Sequence, residues 1–403
     1  MKTKILFLIA DGMGDLPLAE LGHRTPMQAA RTPHMDALAG NGLQGLCRTI
    51  PEHLPPGSDV ANMALLGYDP ATHHTGRGPI EAAAQGLDLA ERDLVWRLNL
   101  VTVTGWGEDG LMRDYSAGHI DTPTAGALIL RLQQALGDEV FRFVPGVQYR
   151  HLLVQKNGAD MPGAGVTVRP PHDITDQPIA PDLATLGSIP GLDRLTSRAH
   201  AILAEDNPSR ANAVWPWGQG RRLSLPDFRT RFDRLGAVVS AVDLVRGLGR
   251  AAGLEVLDVP GVTGLLDTNY EGKVAAALDF LEQGDFVYLH VEAPDECGHA
   301  GNIEDKIEAI ERFDARIVGP LLQVHPPDRA AILVTCDHRT PIAVRTHVHD
   351  PVPFVLAAPG VHPEASPARF DEGAAAGTGL HISRGEDLLP WVLDHCHPTG
   401  AGQ

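Results

Sequence analysis

Seven residues of metal-ligating type punctuate the sequence: Asp11 in D-G-M-G-D, Ser58 in P-P-G-S-D, Asp295 and His299 in P-D-E-C-G-H, Asp337 and His338 in D-H-R-T-P, and His347 in T-H-V-H-D-P-V-P. Carboxylate, imidazole and hydroxyl donors together suit manganese or zinc. Asp295 and His299 are four residues apart, so one helical turn or a compact loop lets both face the same point. If the three carboxylates meet, each pair about 5 Å apart repels by about 3 kcal/mol at an effective dielectric near 20, and cations are required. Two divalent ions would offset three carboxylates and a serine alkoxide, leaving a nearly neutral site able to accept a phosphate dianion. Coordination would also lower the hydroxyl pKa of Ser58 and make it a nucleophile at neutral pH.

The elements around these residues explain how they could converge. Lys4–Ala10 (KILFLIA) reads as a buried strand ended by Asp11, Phe286–Val291 as a strand leading into Glu292 and Asp295, and 331–335 as one leading into Asp337 and His338. In an open α/β sheet, ligands bind outside the carboxyl ends of strands, so distant segments meet there. Val60, Ala61, Ala64 and Leu65 recur at helical spacing before Gly67, which puts Ser58 at a helix N-terminus suited to phosphate oxygens. Thr32 and Pro33 open a helix over 34–41. Further helices are expected around 235–248 and 272–283, and 354–358 is expected as another buried parallel strand. From Tyr68 to Asp227 the pattern is irregular, which suggests a core of 1–70 and 228–403 interrupted by an inserted substrate-binding domain, 71–227.

The totals narrow the class. A chain of 403 residues with 43% hydrophobic and 21% charged residues is that of an ordinary globular protein larger than one typical domain. Its net charge of -18 argues against nucleic-acid and membrane partners, and an anionic substrate would need a local patch of metals or arginines. Cys47, Cys297, Cys336 and Cys396 form no C-x-x-C pair, so neither a zinc ribbon nor a disulfide framework is indicated and a reducing cytoplasmic location is expected. The first apolar run stops at Asp11, too short for a signal peptide, and no stretch approaches membrane-spanning length.

D-G-M-G-D, P-P-G-S-D-V-A-N-M-A-L-L-G-Y-D-P, T-G-R-G-P-I-E-A, A-P-D-E-C-G-H, T-C-D-H and T-H-V-H-D-P-V-P follow one another in an order that resembles the archaeal-type cofactor-independent phosphoglycerate mutases of the alkaline phosphatase superfamily. The resemblance spans nearly the whole chain. It implies an α/β fold: an alkaline phosphatase-like three-layer α/β/α core with a mainly parallel sheet, plus an inserted smaller α+β domain. It implies a glycolytic isomerase acting on a small phosphorylated metabolite through phospho-Ser58, with two divalent ions, manganese first and zinc, magnesium or cobalt as alternatives. Asp295, His299 and His347 resemble the ligands of one ion, and Asp11, Ser58, Asp337 and His338 those of the other. Lys273, in D-T-N-Y-E-G-K, looks like the lysine that faces the phosphoserine. Arg77, Arg113, Arg150 and Arg210, in glycine-rich or turn-like contexts, are candidates to grip the substrate. The motif W-P-W-G-Q-G resembles a bacterial subgroup for which homoserine kinase activity has been proposed. A homoserine kinase-like phosphotransferase or a phosphomonoesterase at the same site is therefore the alternative.

Taken singly, the same residues have plainer readings. Ser58 could be an N-cap, Asp11 the cap of a turn, and Asp295 the cap of a short helix after Pro294. Seven of them at strand ends in family order favour metal binding. His349 rivals His347, but the resemblance, through the family spacing H-x-x-D-P, selects His347 and leaves His349 facing solvent or backing the ligands. His73, His74, His119 and His381 read as surface or hydrogen-bonded histidines, and Trp215 and Trp217 as packing residues with an aromatic wall as the alternative.

Overall fold

The computed structural model describes residues 2–161, 164–205, 207–361 and 367–396. Its strands are, in chain order, β1 (Lys4–Ala10), β2 (Leu43–Cys47), β3 (Leu94–Val103), β4 (Met112–Asp114), β5 (Phe141–Val147), β6 (Arg150–Gln155), β7 (Ala213–Arg221), β8 (Gly236–Val239), β9 (Glu255–Val256), β10 (Phe286–Val291), β11 (Ala330–Thr335), β12 (Val352–Ala357) and β13 (His381–Ile382). Two compact units make up the chain, Met1–His74 with Ser224–Gln403, and Thr75–Leu223.

The first unit is built on an eight-stranded sheet in the order β13-β2-β12-β11-β1-β10-β8-β9. Its central strands β11, β1, β10 and β8 are parallel neighbours. Every residue of β10 and β11, and all of β1 after Lys4, is buried, as expected of continuous apolar runs covered on both faces. The helix Tyr270–Leu281 packs on β8 and β10, and the helix Pro33–Asn41 on β12. The helix Ser58–Leu65 packs against the helix Asp243–Ala251. It stops where Gly67 turns left-handed (φ +84°), a position where a Cβ would lie 2.6 Å from the Phe232 ring.

Three expectations are corrected. The strand expected at 354–358 is β12, and it runs antiparallel to both β11 and β2. Residues 336–351 form no crossover helix, and without one a parallel return is not available. The helix expected over 235–248 is a strand, β8, followed by the helix Asp243–Ala251. A short apolar run fits either period, and Gly236 and the β-branched pair Val238-Val239 decide for the sheet. The span read as irregular is regular: β3, β4, β5, β6 and β7 form one five-stranded sheet accompanied by the helices Thr122–Leu136 and Leu192–Leu203. β3 is buried almost throughout and so shows no alternation, while Pro216, Gly218 and Gly220 disguise β7. Gly220 is required there, because a Cβ would lie 1.7 Å from the carbonyl oxygen of Thr75.

Beneath the carboxyl end of the first sheet lies a fully buried ion pair. Lys306, on the helix Ile303–Phe313, places its Nζ 2.7 Å from Asp15 Oδ2 and 2.8 Å from the Thr340 carbonyl. Asp15 also accepts from the backbone N–H of Ile342, and its own N–H donates to Glu372 at 3.0 Å. The loop after β1 is thereby tied to the loop after β11. Replacing Lys306 by Ala strands a buried carboxylate, and chemical denaturation should show a loss of about 3–5 kcal/mol.

Candidate active site

β11, β1 and β10 are adjacent, so their carboxyl ends deliver Asp337 and His338, Asp11, and Glu292 side by side. Immediately after β10 the helix Ala293–Ala300 carries Asp295 in its first turn and His299 one turn on. Gly12 has φ +61°, and a Cβ there would sit 2.6 Å from Asp295 Oδ1, so glycine is what lets the β1 loop approach that carboxylate.

All seven anticipated side chains converge here. His338 is at the centre: its Nε2 lies 3.0 Å from Ser58 Oγ and 3.4 Å from both Asp11 Oδ1 and Asp337 Oδ2. On the other side, Asp295 lies 3.2 Å from His299 Nε2 and 3.5 Å from His347 Nε2, and those two nitrogens are 3.0 Å apart. Donor atoms of Asp11, Asp337 and His338 lie within 4.8 Å of one another, as do those of Asp295, His338 and His347. The capping reading of Ser58 fails, because it occupies the first position of its helix after Gly57 and its hydroxyl faces His338. Asp11, Asp295 and Asp337 are buried, which sets them apart from exposed turn caps.

The donor set fits divalent cations on three counts. First, the carboxyls compete: burial and the charges of Asp337 and Asp295 push Asp11 well above the usual carboxylate range. Burial also opposes ionisation of Asp295, but hydrogen bonds with His299 and His347 overcome it and hold this carboxyl well below that range. Second, Asp11 Oδ1 is buried without a hydrogen-bond partner. Third, the imidazoles are wired as ligands. His299 Nδ1 donates to the carbonyl of Arg345 at 3.0 Å, which aims Nε2 at the cluster. Burial opposes protonation there, but without a cation that nitrogen shares a proton with Asp295, which raises the imidazole to about 9, and a metal would take the proton's place. Thr340 Oγ1 donates to Asp295 and accepts from His338 Nδ1 at 3.2 Å, so His338 Nε2 points its lone pair inward. Burial lowers His338 to about 4, which keeps that lone pair free.

Several supporting residues escape a motif search. His290 is buried at the end of β10 with Nε2 3.0 Å from Asp11 Oδ2 and Nδ1 3.3 Å from Ser240 Oγ. Asn62 contacts Asp337, and its position four residues after Ser58, on the same helical face, was the available signal. Thr340 follows His338 by two residues, and nothing in its type announced its role. His349 is half-buried and its Nε2 donates to the Leu54 carbonyl at 2.8 Å, which fastens the loop before Ser58. His74, read as a bystander, lies 3.0 Å from Asp59, the neighbour of Ser58. Lys273 is buried and donates to the His290 carbonyl at 2.8 Å; burial lowers it to about 8 against the opposing charge of Glu292.

The second unit holds its own cationic group. Arg97, on β3, was not anticipated; it is 8% exposed, pairs with Glu81 at 3.0 Å and lies 4.8 Å over the Trp217 ring. Burial lowers it to about 10, with Arg77 and Arg150 contributing as nearby like charges. Arg77 opens the helix Arg77–Ala84, and the Nε atoms of both Arg77 and Arg97 are buried without a partner. Arg150 begins β6 and lies over Tyr149. Arg113 instead forms an exposed pair with Asp176, and Arg210 is exposed. Trp215 and Trp217 are buried packing residues whose indole N–H groups donate to the Arg169 carbonyl at 2.9 Å and to Asn99 Oδ1 at 3.0 Å.

The fold and the site together define an α/β protein with a cluster of metal-ligating groups at the carboxyl end of a mainly parallel core sheet, and with an inserted α+β unit. Comparison with known proteins narrows this. A family model described as 2,3-bisphosphoglycerate-independent phosphoglycerate mutase matches residues 39–208. A probable enzyme of that name from Geobacter sulfurreducens is 47% identical over 401 residues, covering 97% of this chain and all of the relative. The Methanosarcina mazei enzyme of that name is 44% identical, covering 96% and 98%. Among solved structures, the cofactor-independent phosphoglycerate mutase of Thermoplasma acidophilum superposes with a TM-score of 0.64 at 29% identity, covering 98% of this chain and all of the other. A Pyrococcus horikoshii protein reaches 0.81 at 29% identity over the whole of both chains. The chain belongs to the 2,3-bisphosphoglycerate-independent phosphoglycerate mutase family.

Stripping divalent metal with a chelator should lower the melting temperature, because three buried carboxylates lose their counter-charge. Restoring manganese to 100 times its Kd should return about 2.7 kcal/mol per site, read by differential scanning fluorimetry. No response of the melting temperature to chelator or metal would refute the metal site.

Proposed function

We propose that this enzyme interconverts 2-phosphoglycerate and 3-phosphoglycerate through a phosphoserine at Ser58, with two divalent ions, manganese foremost and zinc, magnesium or cobalt as alternatives. The observation that carries this reading is the Ser58 hydroxyl, at the first turn of its helix and 3.0 Å from His338 Nε2 within the cluster of acidic and imidazole donors. Asp295, His299 and His347 would hold one ion, and Asp11, Ser58, Asp337 and His338 the other. When bound, the ions supply counter-charge to the phosphoryl oxygens and lower the pKa of the serine hydroxyl.

Ser58 Oγ gives up its proton and attacks phosphorus; the bond to one glycerate oxygen breaks, and that oxygen takes up a proton. The freed glycerate reorients. Its other hydroxyl then attacks the phosphoserine, loses its proton and restores Ser58. The backbone N–H groups at the start of the Ser58 helix support the transferring phosphoryl group. Lys273 is assigned to the phosphoserine as its facing cation, and a pKa of about 8 suits it to exchange a proton near neutrality. We assign the anionic groups of the glycerate to Arg77, Arg97 and Arg150 rather than to Arg113 or Arg210. Buried, unpartnered guanidinium N–H groups favour Arg77 and Arg97, and Arg150 is a like charge beside Arg97, whereas Arg113 already faces Asp176 at the surface.

The homoserine reading is not favoured. The tryptophan-rich motif that prompted it is core packing, and relatives at 44–47% identity carry the mutase name. All four cysteines are free and buried, in keeping with a reducing cytoplasm, and among the described residues no helix is long and apolar enough to cross a membrane.

A coupled assay on manganese-loaded protein should register interconversion in both directions, and its absence would sink the mutase reading. Ser58→Ala should abolish turnover and phosphoserine, detected by mass spectrometry, while at least the ion bound by Asp295, His299 and His347 is retained. Arg97→Lys keeps the charge but loses the fork; losing about 1.5–3 kcal/mol of charged hydrogen bonding should raise KM by about tenfold to a hundredfold. An unchanged KM would remove Arg97 from the substrate site.

A further inference from the structure

The side-chain amide of Asn62 is constrained from both ends. Its Oδ1 accepts from the Tyr288 hydroxyl at 2.6 Å, and its Nδ2 donates to the Ser58 carbonyl at 2.9 Å and to Asp337 Oδ2 at 2.8 Å. Both of the latter groups are acceptors, so the two protons of one amide nitrogen are divided between the nucleophile's own turn and a metal-binding carboxylate. Asp337 Oδ1 is held separately by the backbone N–H groups of Gly12 at 3.2 Å and His338 at 2.9 Å. Among the described residues, the Asn62 bond is the direct hydrogen bond between Oδ2 and the Ser58 helix. Asn62 and Tyr288 are fully buried, and the Tyr288 ring stacks on Phe7 at 5.5 Å and 18°, which fixes the direction of the phenol.

We propose that Asn62 and Tyr288 act together as a positioning pair for the Ser58 chemistry, the phenol locking the amide so that a single NH2 group holds Ser58 in register with Asp337. The proposal rests on the reading of Ser58 as nucleophile. The phenol matters because it is the donor to Oδ1. Without a donor facing Oδ1, that acceptor is left buried and unsatisfied, and the amide shifts away from its present position. The two Nδ2 bonds that align the Ser58 turn with Asp337 are thereby loosened.

The test compares full-length Tyr288→Phe, Asn62→Asp and the double variant with the native enzyme. Turnover is measured on the manganese-loaded proteins, and manganese binding by calorimetric titration of the stripped ones. The expected result for Tyr288→Phe is a kcat lower by about 10–100-fold with KM within about twofold, and manganese affinity weakened by a similar factor at one of two sites. Asn62→Asp can still accept from the phenol but cannot donate to Ser58 or Asp337, so it should lose at least as much. The double variant should be no worse than Asn62→Asp alone, because Tyr288 acts only through Asn62. Native-like kcat and manganese affinity in Tyr288→Phe, or losses that multiply in the double variant, would overturn the proposal. If circular dichroism shows Tyr288→Phe unfolded, titration of Asn62→Asp decides: weakening at one site of two supports the pair, and unchanged affinity overturns it. Should the native protein fail to turn over phosphoglycerate, the mutase reading falls while the manganese titrations still judge the pair.

Discussion

Mutual repulsion among Asp11, Asp295 and Asp337 is the constraint around which the core unit is organised. All three are buried, so water cannot screen them, and Asp11 and Asp337, with donor atoms within 4.8 Å, repel by about 3 kcal/mol at an effective dielectric of 20. Without cations, burial and the neighbouring carboxylates drive Asp11 well above the usual carboxylate range, while His299 and His347 hold Asp295 well below it. Divalent cations satisfy all three at once. The same charges that make the site costly to fold are what suit it to hold divalent cations.

Holding such a site open requires rigidity from directions other than the site itself. Three adjacent parallel strands bring the carboxylates together, and Gly12 removes the one side chain that would keep them apart. Below them, the Lys306–Asp15 pair fastens the loop after β1 to the loop after β11 without contributing a ligand. Thr340 and the Arg345 carbonyl set the tautomers of His338 and His299, and Asn62 spans from Ser58 to Asp337. Thr340, the Arg345 carbonyl and Asn62 each touch a ligating side chain, so its orientation is set by hydrogen bonds with neighbours.

The unit Thr75–Leu223 answers a different electrostatic problem. In a chain of net charge -18, cations exposed at the surface are screened by salt and solvent, and this unit keeps one dry. Arg97 is kept dry by β3 and the Trp217 ring, is balanced by Glu81 and has Arg77 and Arg150 as like-charged neighbours. The tryptophan-rich strand is the wall of that arrangement. Its unusual composition reflects how a guanidinium is buried, a use of aromatic rings that does not depend on the substrate.

What the sequence by itself determined is the chemistry: seven donor residues, the strands that end at them and the helix that starts at Ser58 follow from residue type and local period. These are short-range properties, readable along the chain. Only the tertiary structure decided the rest. Whether β12 returns parallel or antiparallel depends on the loop that precedes it, and β3 hid because a strand buried on both faces has no alternation to show. The placing of His338 at the centre of the cluster, and the roles of Asn62, Thr340, His290 and Arg97, rest on contacts between residues far apart in the chain. Burial and proximity of that kind arise only on packing, where an ordinary asparagine or threonine acquires its role from the groups placed opposite it.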